Sequence, residues 1–257
     1  MGVVAVRYSD RPELWDRLGD LSAQVWPEYN THGDVMNRYW GRLYDEFPDF
    51  QFALYDEEQD EVLAEGHTIP CAWDGTPAGL GPGIDHVMVA GFALREAGGA
   101  TNALSALAAE VRPAQRERGL SAVILRAMID LAAGSGLGHV VAPVRPSWKD
   151  RYPLTPIERY ARWTDGEGRP FDPWIRVHLR LGGWIAAPVP HSLRITGTVA
   201  EWESWTGLAY PESGDYVFPH GLAPLHVDRE ADLGSYWEPN VWIVHHTKPL
   251  PPPRGPR

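Results

Sequence analysis

The chain has 257 residues, 44% hydrophobic and 22% charged, the balance of a globular protein at a length that allows one large domain or two small ones. Its formal net charge of −11 disfavours nucleic acid and anionic membrane as partners, and it holds no apolar run of about 18 residues that could span a bilayer. The single cysteine, Cys71, excludes an internal disulfide and a cysteine-rich metal site.

The first residues carry no basic segment followed by an apolar one, so they read as a strand rather than a leader, and a cytoplasmic location is the expectation. Residues 3–8 alternate as a strand. Pro12 opens a helix whose apolar positions, Leu14, Leu18, Leu21, Val25 and Trp26, recur at helical spacing until Pro27 ends it. A second helix is predicted over 35–47, with Met36, Tyr39, Trp40, Leu43 and Phe47 on one face and Pro48 as its stop. Strands follow over 51–55 and 62–71, joined by the charged turn 56–61. A Gly/Pro-rich loop, 76–83, leads to a helical pattern over 84–94 that Gly98-Gly99 closes.

Next come a strand over 103–109, a basic loop over 111–121, a helix over 122–133 and a strand over 140–144. The loop reads Val111-Arg112-Pro113-Ala114-Gln115-Arg116-Glu117-Arg118-Gly119-Leu120-Ser121. Strand, tight basic loop and helix together aim backbone N–H groups and the positive end of a helix dipole at one point, which suits a phosphate. The glycine spacing is neither GxGxxG nor a P-loop, which ends Gly-Lys-Ser/Thr.

Beyond Pro146 the pattern is less regular. A helix is predicted over 156–163 and another over 174–181, stopped by Gly182-Gly183. Short strands are predicted over 184–187, 193–196, 216–218, 225–227 and 240–246, with a helical turn over 200–205. Residues 249–257 read as a disordered proline-rich tail. Eight of the twelve tryptophans, Trp148, Trp163, Trp174, Trp184, Trp202, Trp205, Trp237 and Trp242, fall in this half, which implies either a thick core or a lined pocket.

The basic loop resembles the acyl-CoA loop of the GNAT superfamily of N-acyltransferases, hydrophobic-x-Pro-x-x-Arg-x-x-Gly-x-Gly/Ala. Val111, Pro113, Arg116 and Gly119 match in register, and Ser121 stands where the family has Gly or Ala. The resemblance implies an α/β GNAT-like three-layer fold, with a mixed, mostly antiparallel sheet flanked by helices and an enlarged C-terminal region. It implies one domain over 1–248, with an insertion over about 147–172 on the substrate side of the cofactor.

It also implies acyl transfer, acetyl above all, from acetyl-CoA or another acyl-CoA as co-substrate to a small-molecule amine, by direct attack. Val111, Arg112, Gln115, Arg116, Glu117, Arg118, Gly119, Leu120 and Ser121 would hold the carrier, with Ser147 nearby. The backbone of Val111 and Arg112 would pair with the pantetheine arm. Glu110 is the candidate base, or else a strand-end charge. Tyr152 is the candidate acid for the leaving thiolate, or else a core tyrosine. A homodimer is compatible with the family.

Other features read as structural. Cys71 lies between Pro70 and Ala72 in a predicted strand, as a packed thiol does. His245 and His246 alternate across a strand and cannot both face one metal. His86, His178, His191, His220 and His226 are scattered without a metal-binding spacing. Two rival readings stay open: a GNAT-fold module that binds or decarboxylates acyl-CoA without amine transfer, and an interaction protein that docks through an exposed tryptophan-rich surface.

Overall fold

The computed structural model describes residues 2–19 and 21–247. The tail predicted over 249–257 lies outside the described residues. Nine strands form one sheet: β1 (Val3–Arg7), β2 (Gln51–Asp56), β3 (Glu61–Cys71), β4 (Ala103–Val111), β5 (His139–Val144), β6 (Trp184–Gly197), β7 (Gly214–Tyr216), β8 (Leu225–Asp228) and β9 (Leu233–His246). Their order is β1-β2-β3-β4-β5-β9-β8-β7, with β6 on the other side of β9. Only β4 and β5 run parallel; every other pair is antiparallel.

The helices are α1 (Leu21–Val25), α2 (Met36–Tyr39), α3 (Arg42–Glu46), α4 (Ile84–Glu96), α5 (Leu120–Gly134), α6 (Ile157–Tyr160), α7 (Pro173–Arg180) and α8 (Val199–Thr206). Among the described residues no helix is long and apolar enough to cross a membrane. Helix α5 turns Leu120, Ile124, Leu125, Met128 and Leu131 onto one face of the sheet, where they meet Leu104, Val140, Phe52 and Leu54. Helix α4 packs Val87, Met88 and Phe92 on the opposite face, against Ile69, Cys71, Val141 and Trp242. Helices on both faces make this the three-layer arrangement, and they explain why β2 is buried at every position.

Several predicted elements change form. The helix predicted from Pro12 to Trp26 splits into a 3-10 turn, Pro12–Arg17, and α1. Between them Gly19 has φ +60°, a left-handed conformation that ends a right-handed helix. The helix predicted over 35–47 likewise divides at Trp40-Gly41 into α2 and α3. The two short strands predicted over 184–187 and 193–196 are one 14-residue edge strand, β6, whose register against β9 shifts at Ile185/Ala187 and Val189/Leu193. Pro188 and Pro190 cannot donate to a ladder; they make an edge strand look like a loop in sequence.

The segment 147–172 packs rather than opens. Lys149 is buried and donates from Nζ to the carbonyls of Tyr152, Pro153 and Leu222; burial lowers its pKa to about 8. Asp172 caps α7 through the N–H groups of Trp174 and Ile175, and accepts from the Trp148 N–H and the Tyr160 hydroxyl as well. The tryptophans serve both purposes expected of them. Trp202 and Trp242 are core, whereas Trp26, Trp40 and Trp174 line a cavity.

Candidate active site

Strands β4 and β5 pair only at Ala103–His139, Leu104–Val140 and Ser105–Val141. Beyond that point they separate, and the six further residues of β4 wall a slot about 20 Å deep at ~3.3 Å per residue. The separation coincides with a β-bulge. Across from β3, Thr68 faces Ala106 and His67 faces Ala108, so Leu107 is the extra residue. The slot opens into a cavity of about 610 Å³. One wall is α5 and α7, with Ser121, Ile124, Met128, Trp174 and His178; the other carries Ser22, Trp26, Trp40 and Glu110.

The loop at the open end is built differently from the turn read in sequence. Residues Pro113–Arg118 form a 3-10 helix, then Gly119 takes φ +71°, and α5 begins at Leu120. The side chain of Leu120 is core; this residue and Ser121 form the first positions of α5, where Ala122 bonds back to the Gly119 carbonyl.

The described side chains of Arg112, Gln115 and Arg118 are engaged elsewhere. Arg112 donates from Nε to the Val62 carbonyl and from Nη2 to the Arg17 carbonyl, both at 2.8 Å. Arg118 meets Asp56 Oδ2 at 3.3 Å and Gln115 Oε1 at 3.0 Å, and Gln115 donates to Glu61. The side chains of Arg116 and Glu117 lie outside the described residues. The Arg112 N–H is given to the Leu63 carbonyl. Its backbone therefore does not face the slot as expected, because that bond points it at β3; by strand alternation the N–H and C=O of Val111 point away from β3, into the slot.

Glu110 is fully buried on the cavity wall. Both its oxygens lie 3.0 Å from Ser22 Oγ, and Oε1 accepts from Trp26 Nε1 at 2.7 Å. Directly across the ladder stands Glu65, which accepts from the Tyr44 hydroxyl and the Trp15 indole N–H. His67 Nε2 is 3.4 Å from Glu65. Gln51 spends its amide N–H groups on the carbonyls of Phe47 and Thr68, so its Oε1 accepts from His67 Nδ1–H at 3.2 Å.

Burial opposes a charge on His67, but the charge and hydrogen bond of Glu65, with Glu110 behind, raise its pKa. Burial likewise works to raise Glu65; the charge and hydrogen bond of His67, with those of Tyr44 and Trp15, outweigh it and lower that carboxyl. The donor atoms of Glu65, His67 and Glu110 fall within 4.8 Å of one another, a set that could hold a cation; the proton on His67 is the positive charge the hydrogen bonds provide for.

The sequence-derived site is thus brought together in part. Glu110, Val111, Ser121 and Ser147 line the cavity. Tyr152 does not. It packs edge-on against Trp163 and Phe171 in an aromatic group outside the cavity lining, so the acid role expected of it has no geometry behind it. Of segment 147–172 only Ser147 lines the cavity, which corrects the expected placement of that insertion beside the substrate. Glu65 and His67 were missed, and His178 was read as structural, because Glu65 and His67 meet Glu110 only through strand pairing and His178 reaches the cavity wall only through the docking of α7, which spacing along the chain does not encode.

No family model matches the chain. Among curated proteins, the arginine N-acetyltransferase avaD of Aspergillus versicolor is 31% identical over 266 residues, covering 91% of this chain and 91% of that protein. Among solved structures, the GNAT-like decarboxylase GphF in complex with isobutyryl-CoA matches with a TM-score of 0.58 at 19% identity, covering 96% of this chain and all of that one, 100%. The loading GNATL domain of CurA from Lyngbya majuscula matches with a TM-score of 0.56 at 17% identity, over 95% of this chain and 96% of that one. At these identities the two structures speak to the fold.

Proposed function

Because the chain belongs to the GNAT superfamily of acyl-CoA-dependent N-acyltransferases, we propose that it moves an acetyl group from acetyl-CoA to the amine of a small cationic acceptor by direct attack. The observation that carries this reading is the slot between the unpaired ends of β4 and β5, with a helix start at its open end and Glu110 on its far wall. The amides of Leu120 and Ser121 suit the diphosphate of the carrier. The arm runs down the slot beside the Val111 backbone, and the thioester comes to lie toward the bulge at Leu107.

The acceptor enters from the side of Trp26 and Trp40. Glu65 and His67 neutralise each other, which leaves Glu110 as the acidic group for an ammonium; it takes the first proton and frees the amine for attack. The arginine named for the curated relative fits this wall in charge, and L-arginine is the acceptor to test first.

The experiment is to follow CoA release from acetyl-CoA with L-arginine and a panel of primary amines. Amine-dependent release supports the reading. Tight acyl-CoA binding with no release by any amine overturns it, and CO2 from malonyl-CoA would then favour the decarboxylating alternative.

A further inference from the structure

Across the slot from Glu110 the wall carries a guanidinium. Arg145 follows directly on β5 and lines the cavity together with Glu238 and Asn240 of β9. Strand alternation fixes the face. Val141 of β5 and Trp242 of β9 pack with α4 and Trp40, whereas Ala142, Val144 and Val241 pack with α6 and α7. With a period of two, Arg145, Glu238 and Asn240 fall on the α4 face. Glu110 shares that face, since its neighbour Val111 packs on the opposite one, against α5.

The two residues also stand at similar depth. Ser105 and Val141 are the last pair before the strands part. Glu110 lies five residues beyond the first and Arg145 four beyond the second, so both rise about 15 Å above that pair.

The donors of Arg145 can be accounted for one by one. Nε is given to Glu238 Oε2 at 3.0 Å. Nη2 is given to the Tyr29 hydroxyl at 3.0 Å and to the His220 carbonyl at 2.9 Å, which uses both its hydrogens. The N–H groups of Nη1 have no hydrogen-bond partner among the described residues, and Nη1 is not sealed from solvent; the side chain keeps 20% exposure. The rest is clamped. Buried Tyr29 donates to the same His220 carbonyl at 2.8 Å, and Asn30 Nδ2 adds a second donor to Glu238 Oε2 at 3.0 Å. The plane of the guanidinium is thus set before any ligand arrives, and the charge of Glu238 is already answered.

Resting on the acyl-transfer reading, we infer that Arg145 binds a carboxylate of the acceptor through Nη1, and that the acceptor is an amino acid rather than a simple amine. The ammonium goes to Glu110 on one wall and the carboxylate to Arg145 on the other, so each charge of the zwitterion meets its opposite. A guanidinium receives a carboxylate in its own plane, which the clamp holds ready. A diamine gains nothing from this wall. Arg145 moves no proton; it determines which amines are accepted. A carboxylate carried by the acyl group, as in malonyl-CoA, is the other source of the same chemistry. Position favours the acceptor. Tyr29 and Asn30, which fix the pair, belong to the turn Glu28–His32 just after α1, the helix whose Ser22 reaches Glu110.

The test gives the wild type acetyl-CoA and acceptors paired so that they differ only in the carboxylate: L-arginine with agmatine, L-ornithine with putrescine, L-lysine with cadaverine. In the pair it acetylates best, kcat/KM for the amino acid should exceed that for the amine by about 10- to 100-fold, the value of a hydrogen bond to a charged group. R145Q should bring this ratio close to one. R145Q/E238Q, which removes the ion pair without stranding the Glu238 charge, should do the same. R145K should keep an intermediate ratio. Acetyl-CoA affinity within about threefold of wild type identifies folded variants. Equal rates within every pair overturn the carboxylate site and leave acyl transfer standing. A folded double variant with the wild-type ratio overturns the assignment to Arg145. An Arg145-dependent preference for malonyl-CoA over acetyl-CoA, with no preference within the pairs, puts the carboxylate on the acyl group and overturns it too. A wild type that binds acetyl-CoA but releases CoA to no amine overturns the transfer reading, and this assignment with it.

Discussion

Glu65 and Glu110 stand directly opposite each other on β3 and β4, both buried, with the imidazole of His67 paired to Glu65 and Glu110 behind that pair. Like charges facing across a ladder destabilise a sheet. The arrangement persists here because six hydrogen-bond or charge contacts from Trp15, Ser22, Trp26, Tyr44 and His67 converge on the two carboxyl groups.

Glu110→Gln keeps the shape and removes the proposed base. The expected outcome is a loss of about 100-fold in kcat with acetyl-CoA affinity retained, read by steady-state kinetics and a binding titration. The Ser22 and Trp26 contacts can be kept by an amide, so the melting temperature should change little.

Two groups of histidines give stability opposite pH dependences. His67 is held above its usual 6.5, so its contribution is complete below pH 6.5 and fades as pH rises through the raised folded value. His245 is held by burial at about 4, so the unfolded chain binds a proton that the folded one refuses, and stability falls as pH drops from 6.5 toward 4. Thermal melts across pH should show wild type losing stability on both sides of about 6.5. H67Q should flatten the alkaline limb and H245Q the acid limb; unchanged limbs in both variants would refute the assignment.

Tyr152→Phe removes a hydroxyl outside the cavity and should leave kcat within about twofold, measured by CoA release. A loss of 100-fold would return the tyrosine to the site.

Asp172→Ala removes the cap of α7 together with the bonds from Trp148 and Tyr160. Loss of an N-cap costs about 1 kcal/mol and stranded buried donors cost about 1–3 kcal/mol more. Chemical denaturation should show a destabilisation of that order, with kcat lowered because α7 forms part of the cavity wall.

Gly183→Ala forces a methyl group against His245 and within 3.0 Å of the His178 carbonyl. Overpacking of this kind costs about 1–3 kcal/mol. Melting temperature and kcat should fall together, whereas an equal change at exposed Gly166, where a Cβ meets nothing, should alter neither.

Much of the fold was legible because its signals are local. The apolar spacing of Leu120, Ile124, Leu125 and Met128 marks α5, and the run Val140–Val144 marks a strand buried on both faces. The Pro and Gly of the loop ending at Gly119 marked the junction between β4 and α5 by residue type alone. What escaped was non-local. The β6 strand was hidden by its prolines, and the first two helices were overextended because their apolar faces continue past the breaks, at left-handed Gly19 in the first and at Trp40-Gly41 in the second. Glu110 was found from its place beside the loop, but its partners lie 45 and 43 residues earlier in the chain, at Glu65 and His67. His178 and His245, which meet across 67 residues, carry no motif at all.

Strand β9 pairs with β5, β6 and β8 at once. Among the described residues it is the last strand, and its Glu238 and Asn240 line the cavity. A nascent chain that has not yet made Leu233 has every residue of the loop and Glu110, but lacks this wall. Removing the chain from Leu233 onward is therefore expected to abolish any activity seated in the cavity, even with the rest of the molecule intact.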